Sequence, residues 1–254
     1  MFISTGVSLL GAQPSGGGGL PNVYTTGLQL WWDAGESTSY PGTGTTITDL
    51  SGNGNDGTLQ NGIVFTGSFG GGLYMASGID EVDIVGNFLN STKNWSICVF
   101  GDYAGNNFDR IWGGIMNGDS GDLGVGSNTN NQVKTIGSGG SQGFWADVAS
   151  GSFARNVNSM YSYQCDNRNN AGPATNLRSY WQNTTSYPVA NATATGDPSQ
   201  IEADEGFSWG GYDQPPGSNA VTGTSFVALV YNTNLVQANI DQNYNAYKTR
   251  LGLP

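Results

Sequence analysis

The chain has 254 residues, 41 of them glycine, and carries 8 Lys+Arg against 19 Asp+Glu, a formal net charge of −11. It contains no histidine, which excludes Ser-His-Asp and Cys-His catalysis, histidine general bases and histidine metal ligands together. The acidic balance leaves no basic surface to track phosphates, so nucleic-acid binding and adhesion to anionic membranes are not expected.

Aromatic residues reach 11%, with 7 Trp, 12 Tyr and 10 Phe. That is enough for the core of one sandwich and unlike a disordered chain. No window approaches 18 apolar residues, so no transmembrane helix is expected. The start lacks a basic n-region, and no standard signal peptide is expected. Two cysteines, Cys98 and Cys165, allow one internal bridge at most. Buried free thiols are the first reading, and a cross-strand disulfide is the alternative.

In chain order, residues 1–21 form an N-terminal arm and linker. Phe2, Ile3, Val7, Leu9 and Leu10 are too apolar for a free tail, and Gly16–Gly19 make the linker flexible. The arm either adds a strand to the main domain or docks on another subunit, by strand addition or groove filling. Residues 22–254 read as one β-rich domain. Short apolar runs separated by Gly/Asn/Ser turns place strands at Gly27–Trp32, Gly62–Thr66, Gly72–Met75, Ile79–Val85, Trp95–Asp102, Asp109–Met116, Leu123–Ser127, Gln132–Ile136, Phe144–Asp147, Ser159–Cys165, Leu177–Asn183, Glu205–Gly210 and Ser225–Tyr231. Along Trp95–Val99 the alternation puts Trp95, Ile97 and Val99 on one face and Ser96 and Cys98 on the other. The expected fold class is all-β, an antiparallel two-sheet jelly-roll sandwich with one short C-terminal helix. Val236, Ile240, Tyr244, Tyr247 and Leu251 recur at helical spacing, Lys248 and Arg250 fall in the last turn, and Gly252 and Pro254 end the helix.

Two stretches carry a resemblance. Near the start, Leu28-Gln29-Leu30-Trp31-Trp32 precedes a loop reading Asp49-Leu50-Ser51-Gly52-Asn53-Gly54-Asn55-Asp56-Gly57-Thr58-Leu59. Near the end, Val230-Tyr231-Asn232 and Leu235 precede Ile240, Asn243-Tyr244-Asn245-Ala246 and Lys248. Together they resemble the LamG-like jelly-roll domains of the concanavalin A-like lectin/glucanase superfamily, of the kind found in bacteriophage virion proteins. The resemblance brackets residues 27–254. The middle follows it only as a strand pattern, as at Phe207-Ser208-Trp209-Gly210-Gly211. Val236 and Asn239 replace the Ser/Thr and Glu usual at the start of the helix. The usual capping box is therefore absent, and a frayed first turn is expected.

Three constellations could carry chemistry. Glu81 and Asp83, two apart on a strand, share a face as a glycosidase pair would, but no third acid follows them. Glu202–Glu205 reads as a solvated turn. Asp49, Ser51, Asn53 and Asn55 have the 1-3-5-7 oxygen spacing of a calcium loop, with Gly54 at position 6 but Gln60 at position 12. The preferred reading is a turn whose side chains satisfy their own backbone. Calcium on Asp49, Asn53, Asn55 and Asp56 is the alternative, and no cofactor is required. In adjacent pairs such as Trp31-Trp32 and Tyr180-Trp181 one member faces outward on a regular strand. Trp181, Trp209 and Tyr212 are thus candidates for a glycan or partner surface, drawn from a set that includes Trp112 and Trp145.

The resemblance implies a non-enzymatic virion structural protein, a capsid decoration or tail/fibre component. It would assemble in the host cytoplasm as a homo-oligomer, contacting other virion proteins through the arm. The alternative is a carbohydrate-binding adhesion module that recognises glycans. A glycoside hydrolase is the third reading.

Overall fold

The computed structural model describes residues 19–76, 80–84, 94–103, 109–116, 121–127, 133–139, 142–148, 156–166, 177–187, 189–193, 207–210 and 222–254. The strands are β1 (Leu28–Asp33), β2 (Thr46–Ile47), β3 (Gly57–Leu59), β4 (Val64–Thr66), β5 (Gly72–Met75), β6 (Val82–Ile84), β7 (Asn94–Tyr103), β8 (Asp109–Met116) and β9 (Gly121–Ser127). They continue with β10 (Val133–Gly139), β11 (Gln142–Val148), β12 (Ser159–Asp166), β13 (Leu177–Gln182), β14 (Thr185–Tyr187), β15 (Val189–Thr193), β16 (Phe207–Trp209) and β17 (Gly223–Tyr231). A short 3-10 turn spans Ser68–Gly70, and one helix, α1 (Gln237–Leu251), closes the chain.

The strands form two antiparallel sheets. The eight-stranded sheet runs β14-β13-β12-β7-β17-β5-β4, with β1 also on β17. Strand β5 pairs Gly223–Ser225 of β17 and β1 pairs Val227–Tyr231, so the two share one edge. The nine-stranded sheet runs β15-β11-β10-β9-β8-β16-β6-β3-β2. The expected all-β sandwich with one C-terminal helix is what the chain forms.

Alternation along each central strand builds two apolar layers. Trp95, Ile97 and Val99 of β7 join Leu30, Trp32, Val82, Phe207 and Trp209 between the sheets. The opposite residues of β7, Cys98 and Phe100, join Trp31, Leu229, Tyr231, Ile240 and Tyr247 in a second layer under α1. The eight-stranded sheet is therefore covered on both faces. Trp32 is fully buried and packs on Phe207 and Trp209 at centroid distances of 5.7 and 6.2 Å. Removing an aromatic side chain of this kind costs about 3–5 kcal/mol.

Helix α1 departs from its sequence expectation at the N-terminus. Val236 is the residue before the first turn and 64% exposed, so it lies off the buried face, and Asn243 takes a place on that face instead. The expected fraying gives way to an ordered start. Asn239 Oδ1 accepts the Val236 N–H at 3.1 Å, the reverse half of a capping box, which needs no side-chain acceptor at Val236. Gln237 Oε1 accepts the Trp181 indole N–H at 3.0 Å, and Gln237 Nε2 donates to Asp241. The C-terminus behaves as expected: Gly252 is left-handed at φ 60°, and the Leu253 N–H returns to the Lys248 carbonyl.

Cys98 is a buried free thiol. Cys98 stands opposite Ser162, whereas Cys165 stands opposite Trp95. The register offset of three residues, about 10 Å, is beyond disulfide reach. Residues 1–18, and with them Phe2, Ile3, Val7, Leu9 and Leu10 of the arm, lie outside the described residues.

Candidate functional site

The loop from Asp49 to Asp56 joins β2 to β3 and clamps β1. Asp49, 7% exposed, accepts the Trp31 N–H (2.8 Å) and the Ser51 N–H (2.9 Å) on Oδ1. Its Oδ2 accepts the Ser51 hydroxyl (2.7 Å) and the Asn55 N–H (3.0 Å). Four donors fill the four lone-pair positions of the carboxylate. Asp56 Oδ1 accepts the Asp49 N–H at 2.8 Å. The amides of Asn53 and Asn55 donate to carbonyls of β1, at Leu28 and Gln29. The proposed calcium ligands Asp49, Asn53, Asn55 and Asp56 do come together, but around N–H and O–H donors. That arrangement does not fit a cation, because donors and metal compete for the same oxygens. No group of three or more His, Cys, Asp or Glu side chains that could hold a metal ion occurs among the described residues.

The aromatic candidates are also corrected. Trp209 is fully buried between the sheets. Trp181 is 6% exposed, beneath α1 and tied to Gln237. Neither offers a face to a sugar. Tyr212 lies outside the described residues. The reasoning that one member of Trp31-Trp32 and of Tyr180-Trp181 faces solvent fails because the outer face of this sheet is not solvent. Trp31 lies under the helix, its indole N–H donating to Tyr247 Oη at 2.8 Å.

With one sheet covered on both faces, the outer face of the nine-stranded sheet is the candidate surface. No other strand or helix packs on it among the described residues. Val82, Ile84, Phe207 and Trp209 point to the core, so alternate residues point away from it. One register row crosses the whole sheet: Thr46–Thr58–Asp83–Ser208–Gly113–Gly124–Ile136–Trp145–Thr193. Thr46 and Thr58 are exposed, Asp83 is half-buried and Ser208 is buried at 3% exposure, so the row opens to solvent at its Thr46–Thr58 end. The two glycine positions put bare backbone in the middle of the row, between a polar half and the Ile136–Trp145 half.

Glu81 and Asp83 both lie on this side of the sheet, Glu81 buried and Asp83 half-buried. The Ser208 hydroxyl donates to Glu81 Oε2 at 2.8 Å, and Glu81 is 7% exposed. Asp83 stands directly opposite Ser208 in the register. Ser208 therefore holds the Glu81 carboxylate beside the row. The sequence placed these acids on one face, but nothing in it linked them to Ser208, more than 120 residues away. Only strand pairing supplies that link.

No family model matches the chain, and no curated protein matches it. Solved structures do. Domain 4 of the extracellular arabinanase AbnA of Geobacillus stearothermophilus, in complex with arabinotriose, is 12% identical at a TM-score of 0.63, over 85% of this chain and 98% of that one. Trypanosoma rangeli sialidase in complex with sialic acid is 13% identical at a TM-score of 0.64, over 90% of this chain. The chain spans about a third of the sialidase, 34% of its length. A mutant of HCR/D is 10% identical at a TM-score of 0.56, over 87% of this chain and 51% of that one.

The chain shares the two-sheet β-sandwich fold of these structures. At these identities the likeness is one of fold. The helix-covered sheet is the back of this sandwich and the nine-stranded sheet is the front.

Proposed function

We propose that this domain is a non-catalytic carbohydrate-binding module that holds glycans on the outer face of the nine-stranded sheet. One observation carries the reading: the register row that crosses the front face and is exposed at Thr46 and Thr58. At Gly113 and Gly124 the row carries no side chain, so a sugar ring placed there would meet backbone. Asp83 and Thr58 supply hydrogen-bonding groups on one side, and Trp145 is the aromatic position of the row on the other. Hydroxyl-directed polar groups beside an aromatic platform are the chemistry that recognises sugars. The arabinotriose complex of a domain with this fold, matched over nearly its whole length, supports it. A hydrolytic role has less support, since Glu81 is engaged by Ser208 and the row contains one acid, Asp83.

The test is an array of neutral and acidic oligosaccharides, arabinotriose and sialyl-lactose included, followed by calorimetric titration of any hit. Binding is expected without hydrolysis of the bound glycan. Substitutions Trp145→Ala and Asp83→Ala should each weaken it roughly tenfold or more. Absence of binding across the array removes the reading, and release of shortened products replaces it with the hydrolase.

For the setting of the domain we propose what the sequence resemblance implies, display on a virion surface after assembly in the host cytoplasm. Support comes from the head and tail motifs alone. Antibody labelling of purified particles by electron microscopy checks it, and unlabelled particles sink it.

A further inference from the structure

The glycan reading does not use the edge where β4 closes the eight-stranded sheet. Three exposed large apolar side chains gather there within eleven residues: Val64 at 58%, Phe69 at 49% and Tyr74 at 42%. Val64 and Tyr74 are a register pair on the outer face. Phe69 sits at φ 52° in the turn between their strands, with its ring edge-on to Phe226 at 5.8 Å. Among the described residues no strand pairs with the far edge of β4. Alternate backbone groups of such an edge point outward, and an apolar edge of this kind invites a further strand.

We infer that the chain's own N-terminal arm is that strand: residues 3–9 add to the free edge of β4 and lay their apolar row beside Val64 and Tyr74. Three observations carry this. The first is pattern. Ile3, Thr5, Val7 and Leu9 alternate strictly with Ser4, Gly6 and Ser8, the two-residue period of a half-buried strand. The second is reach. The chain leaves the body at Asn22, whose carbonyl accepts from Gln242, and Tyr24, whose carbonyl accepts the Tyr231 hydroxyl. From Tyr231 back to Phe226 along β17 is about 17 Å, and two strands across to β4 is about 10 Å, so the span is roughly 20 Å. The linker Gln13–Pro21 has a root-mean-square length of roughly 15–18 Å. The third is the tether itself. A linker that nearly matches its span gives a millimolar effective concentration, well above that of a second copy at micromolar protein.

Hydrogen exchange on the intact full-length chain tests this, with mass in solution measured alongside. Amides of residues 3–9 and of Val64–Thr66 are expected to be protected at a monomeric mass, independent of concentration. In the full-length variant Val7→Asp/Leu9→Asp, protection at both sites should fall about tenfold or more, while β7 and α1 keep theirs and report an intact fold. Tyr74→Ser should weaken arm protection from the receiving side. Unprotected arm amides in the wild type overturn the inference. So does protection that disappears on dilution with a dimer mass, which would assign the arm to a second copy.

Discussion

Asp49 shows how one side chain can set a loop. Its carboxylate gathers four donors from Trp31, Ser51 and Asn55, spanning β1 and both sides of the turn. Removing it leaves the N–H groups of Trp31, Ser51 and Asn55 without their acceptor in a largely buried site, and hydrogen bonds to a charged group are the stronger kind. Asp49→Ala is therefore expected to cost about 2–4 kcal/mol, read from urea denaturation. Millimolar calcium should leave the wild-type melting midpoint where chelator leaves it. A rise of several degrees with calcium would restore the ion to this loop. The oxygen spacing at Asp49, Ser51, Asn53 and Asn55 is legible in the sequence. The direction of the donors is not, because it depends on β1 lying alongside, about twenty residues upstream.

Among the elements, α1 is fixed at both ends by polar contacts to the sheet it covers. At its C-terminal end Arg250 makes a bidentate pair with Asp33, at 2.7 and 3.0 Å, and lies over the Tyr247 ring at 4.9 Å from the centroid. Asp33 is fully buried. Taking away one partner strands a buried charge, a loss of about 3–5 kcal/mol for such pairs. Arg250→Ala should show a loss of this size in denaturant. Arg250→Lys should recover only part of it, since an ammonium cannot reproduce the two-pronged contact. Equal stability of Arg250→Ala and wild type would mean that packing alone seats the helix. Legibility among the elements follows length and alternation. Gly72–Met75 and Asp109–Met116 are read from sequence with the bounds they have in the structure, and the helix comes within a residue of its start. Strands β2, β3, β14 and β15 are not read at all. Each is short and set among Gly, Thr and Asn, so local preference points to turns, and strand pairing overrides it, within a tight hairpin for β14 and with more distant strands for β3 and β15. Gly57 in β3 shows why: a Cβ there would come within 2.5 Å of the Trp32 ring. The glycine marks close packing against the core, which in sequence looks like one more turn.

For the whole molecule, burying one sheet on both faces has a consequence for pH. The helix–sheet layer encloses Cys98, Tyr231 and Tyr247, and the layer between the sheets encloses Tyr103. Burial pushes the Cys98 thiol up from 9.0 to about 11 and the Tyr103 hydroxyl from 10.0 to about 12. Burial also raises Tyr231 and Tyr247 well above 10.0. All four groups favour the neutral form in the fold, so the folded state holds these protons more tightly than the unfolded chain does. Below pH 9 both states are protonated at these sites and their contribution to stability is complete. From pH 9 upward the unfolded chain releases protons that the folded one keeps, and stability falls until Cys98 titrates in the fold near pH 11 and Tyr103 near pH 12, with Tyr231 and Tyr247 adding to the fall. For Cys98 alone the loss across that window is on the order of 3 kcal/mol. Urea midpoints should therefore be flat from pH 7 to about 8.5 and decline steeply by pH 10.5, with a shallower decline in Cys98→Ala. Iodoacetamide should label Cys98 at pH 8 only as fast as the chain unfolds, because the buried thiol is about a hundredfold less ionised than an ordinary one. Midpoints that hold steady through pH 10.5, or prompt labelling of Cys98 in the native protein, would show that water reaches the layer beneath α1. The back sheet would then not be closed in the way that leaves the front face as the candidate surface for a ligand.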